Sequence, residues 1–371
     1  MTAPSAHPPD TATTLCTFCP NLCRQKCPVS TAEPRETLIP RAKMANLGRL
    51  RLRSGALPVS AESAASLWAC TGCGACTEAC RHHVEPAVHL FAGRALAALG
   101  GARPAALEGL AGRARVTGER AALAARDGVA PARVRSAGAS GLLPACARPA
   151  QAAVTLAVLD RAAPSGQEPV ALVDTALGCG GYPLLAGGEE EAFVAHARRL
   201  ASELAGFAQV VVACPACAFT LRTEYAPRGV RLSPEVVDLA TVLGEAADRL
   251  PIARTLGPAF YHDPCYLGRR SGVYDAPRAA LARAVTTVHE FSRARADSGC
   301  CGGGGLLPLT MPDTAAAIAD ARLDEVREAE VRTVVTACPT CTDRLARPGL
   351  SVRDLIDVLD EATRPRRRPT S

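Results

Sequence analysis

The chain has few aromatic side chains and almost no lysine. Only 4% of its 371 residues are aromatic, and Lys26 and Lys43 are the only lysines, so the net charge of +6 comes from arginines spread along the chain. Proteins that bind nucleic acid by stacking and by basic patches concentrate both residue types. The one dense basic run, Arg364–Arg368, lies at the extreme end, where a solvated tail is the simpler interpretation. The composition argues against a nucleic-acid partner.

Long hydrophobic runs are also missing. No apolar stretch approaches the roughly 18 residues that a membrane helix needs, and the first 15 residues have neither the basic region nor the apolar core of a secretion signal. We therefore expect a cytoplasmic protein without an integral membrane segment. A dinucleotide fingerprint, a P-loop and a nucleophile paired with a base are absent as well. A redox protein without a hydride-handling cofactor receives its electrons from another subunit.

Cysteine, in contrast, is abundant, with 17 residues that fall into groups. In a compartment that keeps thiols reduced, dense groups of cysteines bind metal or carry out redox chemistry. Two groups lie near the N-terminus, in CTFCPNLCRQKCP and CTGCGACTEAC; they contribute Cys16, Cys19, Cys23, Cys27, Cys70, Cys73, Cys76 and Cys80. The C-x2-C-x2-C-x3-C spacing of the second group is typical of [4Fe-4S] ligation. Structural zinc is the alternative, but four cysteines within eleven residues favour clusters.

These two groups together resemble a bacterial-type ferredoxin module that binds two [4Fe-4S] cubane clusters. The resemblance implies that each cluster takes three ligands from one motif and the fourth from the other. One cluster would be held by Cys16, Cys19, Cys23 and Cys80, and the other by Cys27, Cys70, Cys73 and Cys76.

The remaining nine cysteines form an internal repeat of about 120 residues. Four landmarks recur in order, Cys146 with Cys265, Cys179 with Cys300, Cys214 with Cys338, and Cys217 with Cys341. Short apolar runs such as QVVVA and RTVVTA alternate with stretches of helical periodicity, which predicts two α/β units with mostly parallel sheets. Each CPxC motif follows a predicted strand, where such folds place their sites.

The second unit resembles the cysteine-rich CCG domain of heterodisulfide reductases, through YHDPCYLGRRSGVYDAPR, SGCCGGGG and ACPTC. It is similar also to the iron-sulfur subunits of glycolate oxidase and anaerobic glycerol-3-phosphate dehydrogenase. The resemblance implies a noncubane [4Fe-4S] cluster, held by five cysteines and in contact with a disulfide. The second unit has all five, namely Cys265, Cys300, Cys301, Cys338 and Cys341. The first unit has Cys146, Cys179, Cys214 and Cys217, with Gly180 in place of the fifth. Its four cysteines suit either a cluster or zinc.

Four residues of the second unit are candidates for catalysis. Cys300 and Cys301 would contact a substrate through the cluster, and His262 could donate a proton to a substrate thiolate, as could the adjacent Asp263. A hydrogen-bonded structural role is the alternative for His262 and Asp263. The glycines of the run Gly302–Gly305 are expected to let the backbone wrap a cluster, since the order of a phosphate-binding loop is missing.

These patterns predict a multidomain α+β and α/β protein. We expect a mainly helical two-cluster domain followed by two tandem α/β units, with the segments 1–15 (flexible tail), 16–95 (two-cluster domain), 96–140 (partly helical linker), 141–251 (first unit), 252–363 (second unit) and 364–371 (basic tail). The leading hypothesis is the iron-sulfur subunit of an oxidoreductase, which relays electrons between a flavoprotein and a disulfide or a quinone-linked acceptor. A disulfide reductase acting at the second unit and a zinc-binding interaction protein are the alternatives.

Overall fold

The computed structural model describes residues 9–53 and 61–365. Most of the expected basic tail lies outside these residues, as does the first half of the expected N-terminal tail. The second half of that tail is not flexible, because a helix begins at Pro9 and packs against the helix that begins at Pro40, which buries Ala12 completely.

The N-terminal part is helical. Its helices are α1 (Pro9–Thr17), α2 (Pro28–Ala32), α3 (Pro40–Arg53), α4 (Ala61–Trp68), α5 (Ala75–Glu78) and α6 (Pro86–Leu99). Proline opens α2, α3 and α6, a position where its missing N–H and fixed φ favour a helix start. A small core of Met44, Leu47, Trp68 and Leu90 lies between α3, α4 and α6, so that the cysteine loops project from a packed helical base.

The middle of the chain forms an all-parallel five-stranded sheet. Its elements are α7 (Leu110–Arg126), β1 (Val134–Arg135), β2 (Ala137–Leu143), α8 (Gln151–Ala162), β3 (Ala171–Val173), α9 (Tyr182–Gly187), α10 (Glu190–Leu204), β4 (Gly206–Val212), α11 (Pro215–Thr223), β5 (Glu235–Asp238) and α12 (Leu239–Glu245). The strand order is β1-β3-β2-β4-β5, and the longest pairing joins β2 to β4 from Ala137 opposite Gly206 to Leu143 opposite Val212.

The C-terminal part repeats this arrangement with four parallel strands. Its elements are β6 (Ala259–His262), α13 (Asp275–Ala284), β7 (Val288–Glu290), α14 (Leu307–Thr310), α15 (Pro312–Glu328), β8 (Thr333–Thr336), α16 (Pro339–Leu345), β9 (Ser351–Asp354) and α17 (Leu355–Thr363). The strand order β7-β6-β8-β9 matches β3-β2-β4-β5 of the first sheet. The cysteine repeat is therefore also a repeat of topology.

The segment predicted as a linker is part of the fold. Helix α7 spans 17 residues and packs against α8 and α9, and β1 adds an edge strand to the first sheet. The first unit thus begins near Val134, before the expected boundary at residue 141. The segment expected as a linker is rich in alanine, glycine and arginine, and the apolar face of α7 is made largely of alanine.

Arg94 joins all three parts of the chain. Its side chain is completely buried, and its guanidinium group donates hydrogen bonds to four backbone carbonyl groups. The acceptors are Leu67 (3.0 Å) and Cys70 (2.8 Å) in the N-terminal part, Ala186 (2.7 Å) in the first unit and Gly305 (3.1 Å) in the second unit.

The glycine run of SGCCGGGG brings the second unit close to the N-terminal part. A Cβ atom on Gly304 would lie 2.2 Å from the carbonyl oxygen of Thr71, and one on Gly305 would lie 1.9 Å from that of Cys70. Only glycine allows such an approach. These two glycines therefore seat the CTGCGAC loop, a role different from the expected wrapping of a cluster.

Four of the scarce aromatic rings meet at the same junction. Tyr182 and Tyr266 are edge to face with ring centroids 5.1 Å apart, and their hydroxyl groups are hydrogen-bonded at 2.9 Å. Phe219 packs on Tyr266, and Phe91 lies beside Tyr182. Aromatic pairs in this geometry contribute roughly 0.5–1.5 kcal/mol beyond their burial, so the junction is a packed interface.

Candidate metal centres

The first group of four cysteines lies near the surface of the N-terminal part. Cys16 comes from the end of α1, Cys19 and Cys23 from the following turns, and Cys80 from the loop after α5. Burial raises the pKa of Cys16 to about 12, with further contributions from the nearby sulfurs of Cys80, Cys23 and Cys19. The structure thus brings together the four residues that the ferredoxin resemblance implies for one cluster.

The second group lies deeper, between the N-terminal part and the second unit. Burial raises the pKa of Cys76 well above its ordinary value, and the sulfurs of Cys27, Cys70 and Cys73 add to the effect. The backbone N–H of Gly72 donates a hydrogen bond to the sulfur of Cys70 at 3.4 Å. These are the four residues implied for the other cluster.

The donor chemistry of both groups fits a bound iron-sulfur cluster. Buried thiols that crowd one another resist deprotonation, so thiolates form there only if a cation supplies positive charge. Backbone N–H groups directed at sulfur, as at Cys19 and Cys70, are the contacts that stabilise cluster ligands.

Cys73 of the second group contacts Cys300 of the second unit. A hydrogen bond between the two thiols is the main cause of the raised pKa of Cys73, followed by burial. Arg269 lies across the contact and donates to the carbonyl oxygens of Cys73 (2.8 Å) and Ser298 (2.6 Å). Burial opposes the charge of Arg269, but the sulfurs of Cys73, Cys265 and Cys300 outweigh it and raise its pKa.

The five cysteines of the second unit converge at the carboxyl ends of β6, β7 and β8. All five are buried; they are Cys265, Cys300, Cys301, Cys338 and Cys341. The sulfurs of Cys301 and Cys341 are 3.2 Å apart, and the N–H of Gly302 donates to Cys300 at 3.3 Å. Hydrogen bonds from Cys300 and Cys341, together with His262, lower the pKa of Cys301 well below its ordinary value despite its burial.

His262 belongs to this centre, in an orientation fixed by Arg322. The guanidinium Nε of Arg322 donates to Nδ1 of His262 at 3.0 Å, so the imidazole proton resides on Nε2. A ligand atom of His262 lies within 4.8 Å of the sulfurs of Cys301 and Cys341. Burial, reinforced by the charge of Arg322, lowers the pKa of His262 and keeps the ring neutral.

Asp263 forms an ion pair with Arg278. Its two carboxylate oxygens accept hydrogen bonds from Arg278 at 2.7 and 2.8 Å, and one of them also accepts from the backbone of Arg295. The contacts match the structural role rather than proton donation.

The four cysteines of the first unit also converge. The sulfurs of Cys179 and Cys217 are 3.9 Å apart, and hydrogen bonds from Cys146 and Cys217 lower the pKa of Cys179 well below its ordinary value. A Cβ atom on Gly180 would lie 3.0 Å from Cβ and 3.1 Å from Cα of Cys217, so a fifth thiol at this position would require Cys217 to move by a few tenths of an ångström. Cys214 interacts electrostatically with Cys338, its counterpart in the second unit.

Comparison with known proteins agrees with this arrangement. The family of 4Fe-4S dicluster domains matches residues 12–84, and the family of cysteine-rich CCG domains matches residues 259–346. The helical N-terminal part is called the dicluster domain below, and the second α/β unit the CCG domain, after the families that these two regions match.

Three curated relatives are iron-sulfur or redox proteins. A probable membrane-anchored ferredoxin of Chromohalobacter salexigens is 37% identical over 43% of this chain and 25% of its own length. A subunit of the fumarate reductase (CoM/CoB) of Methanothermobacter marburgensis is 29% identical over 50% of this chain and 38% of its own length. A subunit of the dihydromethanophenazine:CoB–CoM heterodisulfide reductase of Methanosarcina barkeri is 33% identical over 42% of this chain and 41% of its own length.

The matched part of the chain thus covers between a quarter and about two fifths of these relatives. Although one relative is named membrane-anchored, within residues 9–53 and 61–365 no helix is both long and apolar enough to cross a bilayer.

Sequence reasoning missed the residues that connect the centres. Arg94 and Arg322 are far from the cysteines in sequence, and Arg269 follows Cys265 closely but is one of two adjacent arginines. An arginine-rich background gives no sign of which arginines bind groups at the centres. The sequence also did not indicate that helix α7 forms one wall of a cavity that adjoins Cys146 and Cys179.

Proposed function

We propose that the chain is the iron-sulfur electron-transfer subunit of an oxidoreductase complex. It would relay electrons between a flavoprotein subunit and an acceptor. Two cubane clusters would occupy the dicluster domain, a third and noncubane cluster would occupy the CCG domain, and the first unit would hold a further cluster or zinc. A bound [4Fe-4S] cluster exchanges single electrons, which suits a chain without a hydride-handling cofactor.

The observation that carries this proposal is the continuous series of sulfurs. The series begins at the partly exposed Cys16, Cys19, Cys23 and Cys80, passes to the buried second group, and crosses to the CCG domain at the contact between Cys73 and Cys300. Cys23 interacts with Cys27 of the second group, so the two groups of the dicluster domain also adjoin.

Residues around the crossing from Cys73 to Cys300 bind its two sides together and cover it. Arg269 binds the carbonyl oxygens of Cys73 and Ser298, one on each side, and the aromatic rings pack beside the loop that carries Cys73. A positive charge beside Cys73, Cys265 and Cys300 favours the reduced, more negative state of a centre on either side.

Anaerobic purification with iron, sulfide and zinc analysis and EPR tests the proposal. Two cubanes and one further cluster predict roughly twelve irons, at four per cluster, and a cluster in the first unit raises this to about sixteen. Stoichiometric zinc with little iron would instead support the zinc-binding alternative. One ligand atom each of His262, Cys301 and Cys341 lies within 4.8 Å of the other two, close enough to hold a single metal ion. The zinc analysis therefore tests for an ion at these three residues.

Disulfide reduction at the CCG domain is the second candidate. Its support is the complete five-cysteine set and the named activity of the Methanosarcina relative. Catalytic roles for Cys300, Cys301 and His262 belong to this candidate. All three side chains are buried, with exposures of 5%, 4% and 1%, which leaves little access for a bulky disulfide. Turnover of a small disulfide by the reduced protein, supplied with a functional flavoprotein donor, would establish it.

A further inference from the structure

A cavity with a volume of about 640 Å³ lies beside the cysteines of the first unit. It is bounded by α7, by α9 and α10, and by the start of α14 from the second unit. The wall is largely aliphatic; its larger apolar side chains are Leu110, Leu177, Leu184, Leu306 and Leu309. Cavities of this size with apolar walls and few polar groups are typical sites for small molecules.

Two of the four sulfur-bearing residues line this cavity. Cys146 and Cys179 form part of the wall, whereas Cys214 and Cys217 do not, so the cavity extends away from the point where the four thiols converge. Cys146 is also partly exposed, unlike every cysteine of the second unit.

The corresponding face of the second unit is covered. Cys265 and Cys300 are the counterparts of Cys146 and Cys179, and there the dicluster domain is seated, with Cys73 against Cys300. The repeat therefore presents equivalent cysteine pairs to two different neighbours, a donor domain on one side and an open apolar cavity on the other.

Gly112 points to a ligand in the cavity. It lies within α7, where glycine lowers helix stability, yet a Cβ atom placed on it would meet nothing within 4 Å. Contacts within the chain therefore do not require glycine at this position. Gly112 lines the cavity, so a side chain there would take space from a bound molecule.

The few polar groups of the cavity suit an oxygen-bearing apolar molecule. The ring of His196 is fixed by a hydrogen bond of 2.7 Å between Nε2 and the carbonyl oxygen of Cys179. Arg115 and Arg199 lie at the rim and are ion-paired with Glu119 and Glu203. Arg113, also at the rim, binds only backbone carbonyl oxygens, so its charge is left to make the local field positive. A ligand whose oxygens gain negative charge on reduction is favoured in such a field.

We propose that this cavity binds an apolar carbonyl-bearing electron acceptor of the quinone class beside Cys146 and Cys179. The inference rests on the proposed electron-transfer function and assigns its exit to the first unit. One quinone would take two electrons from two reduced clusters of the chain, each oxidised by one electron. Two protons from solvent at the cavity mouth complete the quinol, and the flavoprotein subunit reduces the clusters again.

The first test measures binding without turnover. Menadione is titrated calorimetrically into oxidised, cluster-loaded full-length protein, and into Gly112→Trp, which fills the cavity. We expect menadione to bind the wild type and to bind at least tenfold more weakly to Gly112→Trp, at unchanged iron content. Gly257→Trp is the matched control, since a Cβ on this exposed glycine also meets nothing within 4 Å and it lies away from the cavity. Ala195→Trp, on the opposite wall, serves if Gly112→Trp does not fold.

The second test follows reoxidation. Protein reduced with dithionite, then freed of excess reductant, is mixed with menadione, and recovery of the iron-sulfur absorbance is followed by stopped flow. Reoxidation should consume one menadione per two electrons and be at least tenfold slower in Gly112→Trp than in Gly257→Trp.

Failure of the inference is distinguishable from failure of the proposed function. Iron-loaded protein that does not bind menadione, or binds it equally in both tryptophan variants, overturns the quinone site and leaves the electron-transfer role intact. The reduced wild type could instead be reoxidised by glutathione disulfide and not by menadione, with this reaction blocked in Gly112→Trp. That result would show that the cavity binds a disulfide and would overturn the assignment of a quinone. Protein without iron removes the proposed function itself.

Discussion

Gly180 determines how many sulfurs the first unit offers. Gly180→Cys restores the residue found at the matching position in the second unit, but its side chain would press on Cα and Cβ of Cys217. We expect unchanged iron content and a lower apparent Tm, a loss of roughly 1–3 kcal/mol typical of overpacking. Gly180→Ala is the control and should lower the Tm by a similar amount. A gain of iron or a new EPR signal in Gly180→Cys would mean that the site adapts to a fifth ligand.

His262 should tune the second-unit centre. Its Nε2–H is buried without a hydrogen-bond partner among the described residues, in a ring that lies near the sulfurs of Cys301 and Cys341. A donor so placed stabilises negative charge on sulfur and so favours the reduced state. His262→Leu should lower the reduction potential of that centre by about 60 mV, equivalent to roughly 1.4 kcal/mol and the strength of one charged hydrogen bond. EPR-monitored redox titration measures this.

The neighbouring strand provides a control for this measurement. His289 on β7 packs its ring on Phe260, at 5.4 Å between centroids, and His289→Leu should leave the potential unchanged. An equal shift in both variants would indicate a general effect of strand packing.

At the scale of elements, β5 and β9 each end in an aspartate that begins a helix. Asp354 caps α17 by accepting a hydrogen bond from the N–H of Ile356, and burial raises its pKa from 3.8 to about 7. The folded state therefore holds a proton that the unfolded state releases, so this group's contribution to stability is present below about pH 4 and is lost as the pH rises to 7.

Asp354→Asn should remove this loss and keep the cap. We expect the variant to be more stable than the wild type above pH 7, by on the order of 1 kcal/mol, and its apparent Tm to change less between pH 6 and pH 8. Asp238 is the comparison, because it occupies the same place at the end of β5 and burial also raises its pKa, but there the ion pair with Arg222 at 2.7 Å opposes that rise. Asp238→Asn breaks that pair and should not stabilise the protein; equal gains in both variants would contradict the explanation.

The α/β units could be predicted at this scale because local pattern and site coincide. QVVVA and RTVVTA became β4 and β8, and both CPxC motifs follow these strands directly, as predicted. In the structure each motif also starts a helix. The repeat of four landmarks was sufficient to predict that the two sheets would be alike, although not the extra edge strand β1.

Features that depend on contacts between distant segments could not be predicted. Gly304 and Gly305 resemble a flexible run in the sequence, and only the closeness of Thr71 and Cys70 gives them a role. Helix α7 lies in a segment expected to be a partly helical linker, and its packing into the fold was missed because its apolar face consists mainly of small residues. Its function as a cavity wall depends on α9 and α10.

For the whole molecule, Arg94 is the residue whose loss should matter most. Arg94→Met keeps the stem but leaves four buried carbonyl groups without their donor, at roughly 1–3 kcal/mol for each group that water cannot reach. We expect a markedly lower Tm and faster limited proteolysis between the dicluster domain and the α/β units. Arg327→Met, which removes only exposed ion pairs, should change neither. A normal Tm in Arg94→Met would show that the junction is held by its aromatic packing instead.

The seated CTGCGAC loop also bears on how the protein is assembled in the cell. Once the glycine run of the second unit lies on this loop, the sulfurs on both sides of the crossing are enclosed, whereas those of the first group stay partly exposed. Delivery of iron and sulfide to the enclosed sites must then precede the closing of the domains. Removal should follow the reverse order, so a chelator added to the loaded protein is expected to extract iron from the first group before the enclosed ones. Simultaneous loss, followed by EPR, would mean that the domains separate freely, and cluster delivery could then follow folding.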